Sequence, residues 1–226
     1  MLYIVSTPIG NPEDITLRAL RVLREANAVI CEERREGARL LSNFNIENTL
    51  VDLNEHNESD RIPEIITQLK NGETLALISD HGTPILADPG GRLVERVIAL
   101  GIPVSAVPGT SALLAALVAS GMSLERFRFV GFLPAKTHLR RSALVQLKDE
   151  RDTWVVFDVP YRLDALLADL LNILGAQRHL VVACNLTMPK ENFVRGTVAQ
   201  VVEQFKKNPF KGEFVIVVAG KSKVSG

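Results

Sequence analysis

The chain has 226 residues, of which 46% are hydrophobic, enough for the core of one large domain or two small ones. Lys and Arg number 26, as do Asp and Glu, and this balance argues against a strongly basic protein that binds nucleic acid without specificity. No apolar run reaches the ~18 residues of a membrane span, and the start of the chain lacks the basic segment and cleavage site of a signal peptide. A cytoplasmic protein is therefore the default expectation. Cys31 and Cys184 lie in predicted strands and are expected to be reduced, buried and structural.

Strand and helix patterns alternate along the chain. Short apolar runs between turn signals predict strands over residues 2–5, 28–31, 50–53, 75–78, 104–107, 127–131, 153–157, 180–183 and 214–219. Apolar residues at helical spacing predict helices that begin after Asp14 and at Ser59 or Asp60, and further helices over residues 93–100, 139–148, 163–174 and 198–205, with an Ala-rich one between 108 and 121. The apolar stripe of the first helix is expected to consist of Ile15, Leu17, Leu20 and Leu23. The alternation predicts parallel or mixed sheets covered by helices. A boundary between two halves of the chain, residues 1–112 and 113–226, is expected within the connection over residues 108–121.

The loop from Ser79 to Gly91 is the best candidate for a ligand site. It follows an apolar predicted strand and contains three glycines, two prolines and two aspartates. Such residues permit tight turns and let the backbone approach a ligand closely. Ligands of open α/β sheets bind beyond the carboxyl ends of the strands. A long turn without a ligand is the alternative interpretation. The sequence contains neither a Gly-x-Gly-x-x-Gly fingerprint after the first strand nor a Gly-Lys-Ser/Thr phosphate loop.

Four motifs in a fixed order resemble those of a known family. They are Thr7-Pro8-Ile9-Gly10-Asn11, the loop over residues 79–90, Val107-Pro108-Gly109 and Gly131-Phe132-Leu133-Pro134-Ala135-Lys136. Together they resemble the tetrapyrrole methylase superfamily, and within it the branch that methylates the 2′-oxygen of a cytidine in small-subunit ribosomal RNA. The resemblance implies two α/β domains with mixed, largely parallel sheets, S-adenosylmethionine (SAM) in the cleft between them, and a homodimer.

The resemblance also implies a set of cofactor-binding residues. They are Ile9, Gly82, Thr83, Leu86, Ser111, Ala112, Asp158, Asn185 and Leu186. SAM requires backbone donors and acceptors, an apolar bed and a few placed polar groups, which residues of these types supply. Ordinary core packing is the alternative for Leu86 and Ala112. No metal is expected.

Methyl transfer to a ribose hydroxyl profits from a general base that removes the proton. By resemblance, Glu32 or Glu58 is the expected catalytic residue, as base or as a group that positions the hydroxyl. The expected substrate-binding residues are Arg35, which would hold a phosphate, and His56, Asn57, Lys136, Lys211 and Glu213. A solvated helix start at residues 56–58 and a surface ion-pair cluster at residues 32–35 are the alternatives that involve no ligand.

Three stretches of the chain differ from the branch that it resembles. In the first, residues 32–35 carry Glu-Glu-Arg-Arg where the branch typically has Glu-Asp-Thr-Arg. Residues 158–161 replace the branch's Glu and its Pro/Thr-His stretch with Asp-Val-Pro-Tyr, and residues 184–189 replace its Arg-Glu-Leu-Thr-Lys. Two alternatives therefore stay open. One is a methyltransferase of a small tetrapyrrole-like substrate, and the other is a SAM-binding protein that has lost catalysis.

Overall fold

The computed structural model describes residues 1–221, which fold into two compact units, Met1–Ser111 and a second unit that begins at Ala112. Each unit contains a five-stranded sheet with helices, which confirms the predicted α/β class. No helix among these residues combines the length and the hydropathy that crossing a membrane requires. Cys31 and Cys184 are buried free cysteines at the ends of strands, as predicted.

The first unit has a wholly parallel sheet. Its strands and helices, in chain order, are β1 (Leu2–Val5), α1 (Leu17–Glu25), β2 (Ala28–Cys31), α2 (Arg34–Asn43), β3 (Leu50–Asp52), α3 (Glu58–Lys70), β4 (Leu75–Ile78), α4 (Gly91–Ala99) and β5 (Val104–Val107). The strand order is β3-β2-β4-β1-β5. β2 and β4 are buried along their whole length, as expected where helices cover both faces of a parallel sheet. All five strands therefore end at the same edge.

Three predictions of helix position in this unit are wrong. The N-cap of α1 is Thr16, whose side chain accepts a hydrogen bond from the Ala19 N–H, and Asp14 lies in a preceding 3₁₀ turn. Of the predicted apolar stripe, Leu23 is buried and Ile15 and Leu20 pack against the core, but Leu17 is 86% exposed. The other buried residues of α1 are Ala19 and Val22, which the sequence did not predict.

The other two errors concern α2 and α3. The charged stretch after β2 opens α2, which the sequence did not predict. α2 packs closely on β2 because Gly37 has no side chain, since a Cβ there would lie 2.8 Å from Cys31 Sγ. α3 starts at Glu58 with Asn57 as its N-cap, ahead of the predicted Ser59 or Asp60.

The second unit has a mixed sheet. Its elements are α5 (Ala112–Val118), β6 (Phe127–Phe132), α6 (Thr137–Leu147), β7 (Thr153–Phe157), α7 (Leu163–Leu174), β8 (His179–Cys184), β9 (Asn192–Thr197), α8 (Val198–Lys207) and β10 (Phe214–Val218). The strand order is β6-β7-β10-β8-β9, in which only β6 and β7 pair in parallel. β9, an edge strand, was not predicted. In this arrangement β6, β7 and β8 end at the edge at which β9 and β10 begin.

A buried ion pair joins α6 to α7 in the second unit. The Asp169 carboxylate, 2% exposed, accepts hydrogen bonds from Arg140 Nε at 2.8 Å and from Arg141 Nε at 2.7 Å. Arg140 is also buried and donates to the carbonyl oxygen of Ala135, at 3.3 Å. The ion pair therefore also holds the loop between β6 and α6.

We expect Asp169→Ala to lower the free energy of unfolding by about 3–5 kcal/mol, because the substitution leaves the Arg140 guanidinium buried without its counter-ion. Asp164→Ala, on the exposed first turn of the same helix, should cost less than about 1 kcal/mol. Urea denaturation of both variants measures the difference. Equal losses of unfolding free energy in the two variants would show that the buried ion pair contributes no more to stability than an exposed carboxylate.

Candidate functional site

The parallel sheet brings every predicted site residue of the first unit to one edge. The register pairs Val5 with Ile78 and with Val107, so the loops after β1, β4 and β5 are neighbours. These loops carry Ile9, Gly82, Thr83, Leu86 and Ser111. On the other side of β4, Glu32 and Arg35 lie in the loop after β2 and the first turn of α2, and residues 56–58 lie in the loop after β3 and at the start of α3. The predicted cofactor residues and the predicted catalytic residues thus occupy different parts of the same edge.

The Gly82 carbonyl oxygen joins the loop after β4 to the loop after β1. It accepts hydrogen bonds from the Thr7 N–H at 2.8 Å, from Thr7 Oγ1 at 3.4 Å and from Ser79 Oγ at 3.0 Å. Thr7 Oγ1 is also within 3.2 Å of the Ser79 carbonyl oxygen. Gly82 has φ +85°, a conformation that favours glycine, and a Cβ there would lie 2.9 Å from Ile9 Cγ2.

The loop after β5 is joined to the same block. Thr83 Oγ1 donates to the carbonyl oxygen of Thr110 at 2.8 Å and lies 3.1 Å from Ser6 Oγ. The Thr110 hydroxyl in turn donates to the carbonyl oxygen of Thr7. Hydrogen bonds therefore link all three loops, and a ligand held by one of them would be held against a fixed surface.

The predicted cofactor residues of this unit differ in exposure. Ile9 is buried against Gly82, whereas Leu86 is 46% exposed and is not part of the core. Ser111 is partly buried, as is Ala112, the first residue of α5. Leu86 thus presents an apolar side chain to solvent, and core packing does not explain its position; its contact with a cofactor stays a prediction.

Two residues of the predicted His56-Asn57-Glu58 motif make structural contacts. Asn57 Nδ2 donates to the Asp52 carboxylate at 2.7 Å, and its Oδ1 accepts from the Asn54 N–H at 2.8 Å, which fixes the turn between β3 and α3. The side chain of His56 is 85% exposed. Of this motif, His56 is the residue whose side chain is presented to solvent.

Glu58 caps helix α4. Its carboxylate, 12% exposed, accepts a hydrogen bond from the Gly90 N–H at 3.3 Å and lies 3.7 Å from the Arg92 guanidinium. Gly90 is the N-cap residue of α4 and has φ +111°. A carboxylate at this position satisfies an N–H group that the helix leaves without a partner, and it interacts favourably with the helix dipole. Glu58 therefore anchors the C-terminal end of the loop over residues 79–91, whose N-terminal part is held by the contacts of Gly82.

Arg35 differs from the arginines around it. Arg34 and Arg61 both pair with the Asp52 carboxylate, at 3.4 and 3.2 Å. Arg35 is exposed and forms no ion pair with any residue that the structure describes. Its guanidinium is available to an external anion, and its contact with a phosphate stays a prediction.

A group of partly buried carboxylates lies at this edge, and the sequence singled out only one of them, Glu32. Burial raises the pKa of Asp88 to about 6, and the Asp80 carboxylate adds to the shift while His81 opposes it. Burial and the neighbouring carboxylates of Asp80 and Asp88 also raise the pKa of Glu32. Asp80 Oδ1 is buried and has no hydrogen-bond partner among the described residues. The aspartates of the glycine-rich loop were the only signal for this cluster.

In the second unit, the predicted residues also share one edge of the sheet. They lie after β6 (Lys136), after β7 (Asp158), after β8 (Asn185 and Leu186) and before β10 (Lys211 and Glu213). The register confirms this placement, because Phe157 pairs with both Phe132 and Val215, and Cys184 pairs with both Phe214 and Asn192.

Burial separates these six residues into two sets. Asp158 is buried and forms an ion pair with Arg162 at 2.5 Å, and Leu186 is also buried. Asn185 has φ 50°, and its N–H donates to the Glu213 carbonyl oxygen at 2.8 Å. The side chains of Lys136, Lys211 and Glu213 are exposed.

Comparison with known proteins places the chain in a family. Residues 1–202 match the family described as Tetrapyrrole (Corrin/Porphyrin) Methylases. The chain belongs to this family. The resemblance that the four sequence motifs indicated is therefore confirmed.

Relatives within the methylase family are similar over nearly the whole chain. A protein of Thermotoga maritima named ribosomal RNA small subunit methyltransferase I is 42% identical, over 97% of this chain and 98% of its own length. The protein of that name from Xylella fastidiosa is 45% identical, over 97% of this chain and 81% of its own length.

Solved structures share the fold of this methylase. A diphthine synthase superposes with a TM-score of 0.71 at 17% identity, covering 98% of this chain and 91% of its own. A uroporphyrin-III C-methyltransferase from Thermus thermophilus, complexed with S-adenosyl homocysteine, superposes with a TM-score of 0.67 at 21% identity, covering 96% of each chain.

The raised pKa of Asp88 predicts how its contribution to stability depends on pH. Its folded-state pKa of about 6 lies above the ordinary value of 3.8, so the stability that the protonated group confers is present below about pH 4 and is lost as the pH rises to about 6. We expect Asp88→Asn to be more stable than the unmodified protein by about 1–3 kcal/mol at neutral pH, and this difference should shrink towards pH 4. Urea denaturation across that range measures it. A difference that is independent of pH would contradict the burial of this carboxyl.

Proposed function

We propose that this methylase transfers a methyl group from SAM to small-subunit ribosomal RNA, at the 2′-oxygen of a cytidine ribose. The observation that supports the proposal most strongly is its similarity, over 97% of the chain, to proteins named ribosomal RNA small subunit methyltransferase I. The four sequence motifs support the finer assignment to a ribose of cytidine by resemblance. A ribosomal substrate implies a cytoplasmic protein. The homodimer that the resemblance implies is also part of the proposal.

The loop block of the first unit fits SAM. SAM supplies a methyl group on a cationic sulfonium, together with an amino-acid end and an adenosine. The partly buried carboxylates of Asp80 and Asp88 create a negative potential that suits a cation, and the buried Asp80 Oδ1 can accept a hydrogen bond. In the proposal, Leu86 and Ile9 supply apolar contact, and the backbone at Gly82 and Thr83 supplies polar contacts. Ser111, Ala112, Asp158, Asn185 and Leu186 complete the proposed set.

Glu32 is better suited than Glu58 to act as general base. The Glu58 carboxylate already caps α4, and this contact holds the loop after β4 in place. Glu32 follows β2, beside the β4 loop, and its pKa is raised by burial and by neighbouring carboxylates. A raised pKa brings a carboxylate closer to the operating pH and makes it a stronger base. In the proposal, Glu32 accepts the proton of the ribose hydroxyl, while Arg35 and His56 contact the RNA.

The function is tested by incubating the protein with SAM that carries a labelled methyl group and with either small ribosomal subunits or naked small-subunit RNA. Label in the RNA, mapped by nuclease digestion to the 2′-oxygen of one cytidine, is the expected result. Label only in a tetrapyrrole offered in parallel would support the small-substrate alternative. SAM binding without transfer to any of these would support a binding protein that has lost catalysis.

Gly82→Val tests the proposed cofactor site through the stabilisation that SAM confers on the folded protein. Valine strains the left-handed backbone and collides with Ile9, so the three joined loops must shift. SAM at a hundredfold excess over its dissociation constant should stabilise the unmodified protein by about 2.7 kcal/mol, and it should not stabilise the variant. Gly72→Val is the matched control, because Gly72 also has positive φ but has no neighbour within 4 Å of a Cβ. Equal stabilisation of both variants would remove Gly82 from the site.

Glu32→Gln and Glu58→Gln distinguish a base from a helix cap. Glu32→Gln keeps the size of the side chain but removes its basicity, so the rate of methyl transfer should fall by roughly 10²–10⁴ while SAM affinity is nearly unchanged. Glu58→Gln keeps an oxygen that can accept the Gly90 N–H and should retain most of the rate. Single-turnover kinetics and SAM titration measure both effects. Full turnover by Glu32→Gln would show that this carboxylate is not a base.

A further inference from the structure

The two units carry opposite net charge, although the chain as a whole is neutral. Residues 1–111 contain 10 Lys and Arg and 16 Asp and Glu, whereas residues 112–226 contain 16 and 10. The phosphates of RNA are attracted to positive charge and repelled by negative charge. A polyanionic substrate is therefore expected to make its main electrostatic contacts with the second unit, even though the proposed base lies in the first.

Exposed lysines from three separate segments of the second unit reach the same edge of its sheet. Lys136 follows β6, Lys190 precedes β9, and Lys211 precedes β10. All three are exposed, and none forms an ion pair with another residue in the range 1–221. Elsewhere in this unit, Lys207 and Lys221 pair with carboxylates, whereas Lys148 and Lys206 are exposed and form no ion pair with a described residue. The three unpaired lysines are therefore available to phosphates.

The largely exposed aromatic ring of Tyr161 also lies at this edge. Tyr161 follows β7 and is 84% exposed. The turn that carries it is fixed, because Asp158 pairs with Arg162 at 2.5 Å and accepts the Val159 N–H at 2.7 Å. The Arg162 N–H donates to the Val159 carbonyl oxygen at 3.0 Å, and the Arg162 guanidinium lies 6.0 Å from the centre of the Tyr161 ring. The backbone that carries the ring is thus held in place, while the ring itself is presented to solvent.

We propose that Tyr161 is a stacking platform for an unpaired base of the RNA, and that Lys136, Lys190 and Lys211 hold the adjoining phosphates; this inference rests on the proposed function. An aromatic ring among exposed cations is the combination that binds single-stranded RNA, because every base has a flat face and every linkage has a charge. Tyr161 also lies in one of the stretches that differ from the resembled branch. The Tyr161 ring would therefore contribute to substrate recognition, while SAM is held by other residues.

The affinity of Tyr161→Ala and Tyr161→Phe for naked small-subunit RNA, measured at two salt concentrations, tests the stacking. Tyr161→Ala should weaken RNA binding by about 5-fold to 100-fold without changing the salt dependence, because it removes stacking and no charge. Tyr161→Phe should bind like the unmodified protein, because the ring remains. KM for RNA should rise in Tyr161→Ala while KM for SAM stays constant.

Lys190→Ala and Lys148→Ala test the phosphate contacts as a matched pair. Both lysines are exposed, but Lys148 follows α6 at the opposite edge of the sheet. Lys190→Ala should reduce the slope of log affinity against log salt by about 0.7–0.9, whereas Lys148→Ala should leave it unchanged. RNA binding by Tyr161→Ala within twofold of the unmodified protein, or equal slopes for the two lysine variants, would overturn the inference. An unmodified protein that neither binds nor methylates RNA would overturn the proposed function as well.

Discussion

The left-handed backbone at Gly82 is the constraint on which the first unit's site depends. It directs the Gly82 carbonyl oxygen towards Thr7 and Ser79, so that the loop after β4 is tied to the loop after β1. Thr83 and Thr110 extend the same network to the loop after β5. A loop with little regular structure would otherwise be mobile, because few backbone groups would have partners. Here both ends are fixed, one by Gly82 and the other by the Glu58 carboxylate at Gly90.

Because both ends of this loop are fixed, a residue between them can hold a strained backbone conformation. Ile85 lies in the middle of the loop with φ 78°, a conformation that is costly for a β-branched residue. Its side chain packs against the apolar core around β4, which compensates part of the cost. The second unit repeats the feature at the corresponding edge, where Thr187 has φ 63°. Strained residues of this kind persist only where their surroundings over-determine them, and they concentrate at ligand-binding segments.

The sequence predicted most of the fold because local patterns carry it. Buried strands such as β4 and amphipathic helices such as α4 are visible as apolar runs and stripes. It failed where a tertiary contact decides the outcome. α2 begins among charges, and it packs because Gly37 lets it approach Cys31. The start of α1 is a local error of the prediction, because the hydroxyl of Thr16, and not Asp14, caps the helix by accepting a hydrogen bond from the Ala19 N–H. Edge strand β9 needs β8 beside it. For the candidate site, the sequence motifs predicted the loops that carry its residues. They could not predict that Glu58 caps α4, because this contact is made with Gly90, which lies 32 positions away in the chain.

The opposite charges of the two units explain how one chain can serve a cationic cofactor and a polyanionic substrate. Carboxylates that stabilise a sulfonium would repel a phosphate, so the two requirements conflict if they are met at the same place. In the proposal, carboxylates of the first unit meet the first requirement and lysines of the second unit meet the other, while Asp158, Asn185 and Leu186 of the second unit also contact SAM. In the first unit, Asp80 and Asp88 keep the loop after β4 negative, and Arg35 offers one local exception. In the second, exposed lysines and Tyr161 supply attraction and stacking without a carboxylate partner for the lysines. An acidic first unit and a basic second unit together give a neutral chain. The net charge of the whole chain therefore does not indicate whether the protein binds RNA.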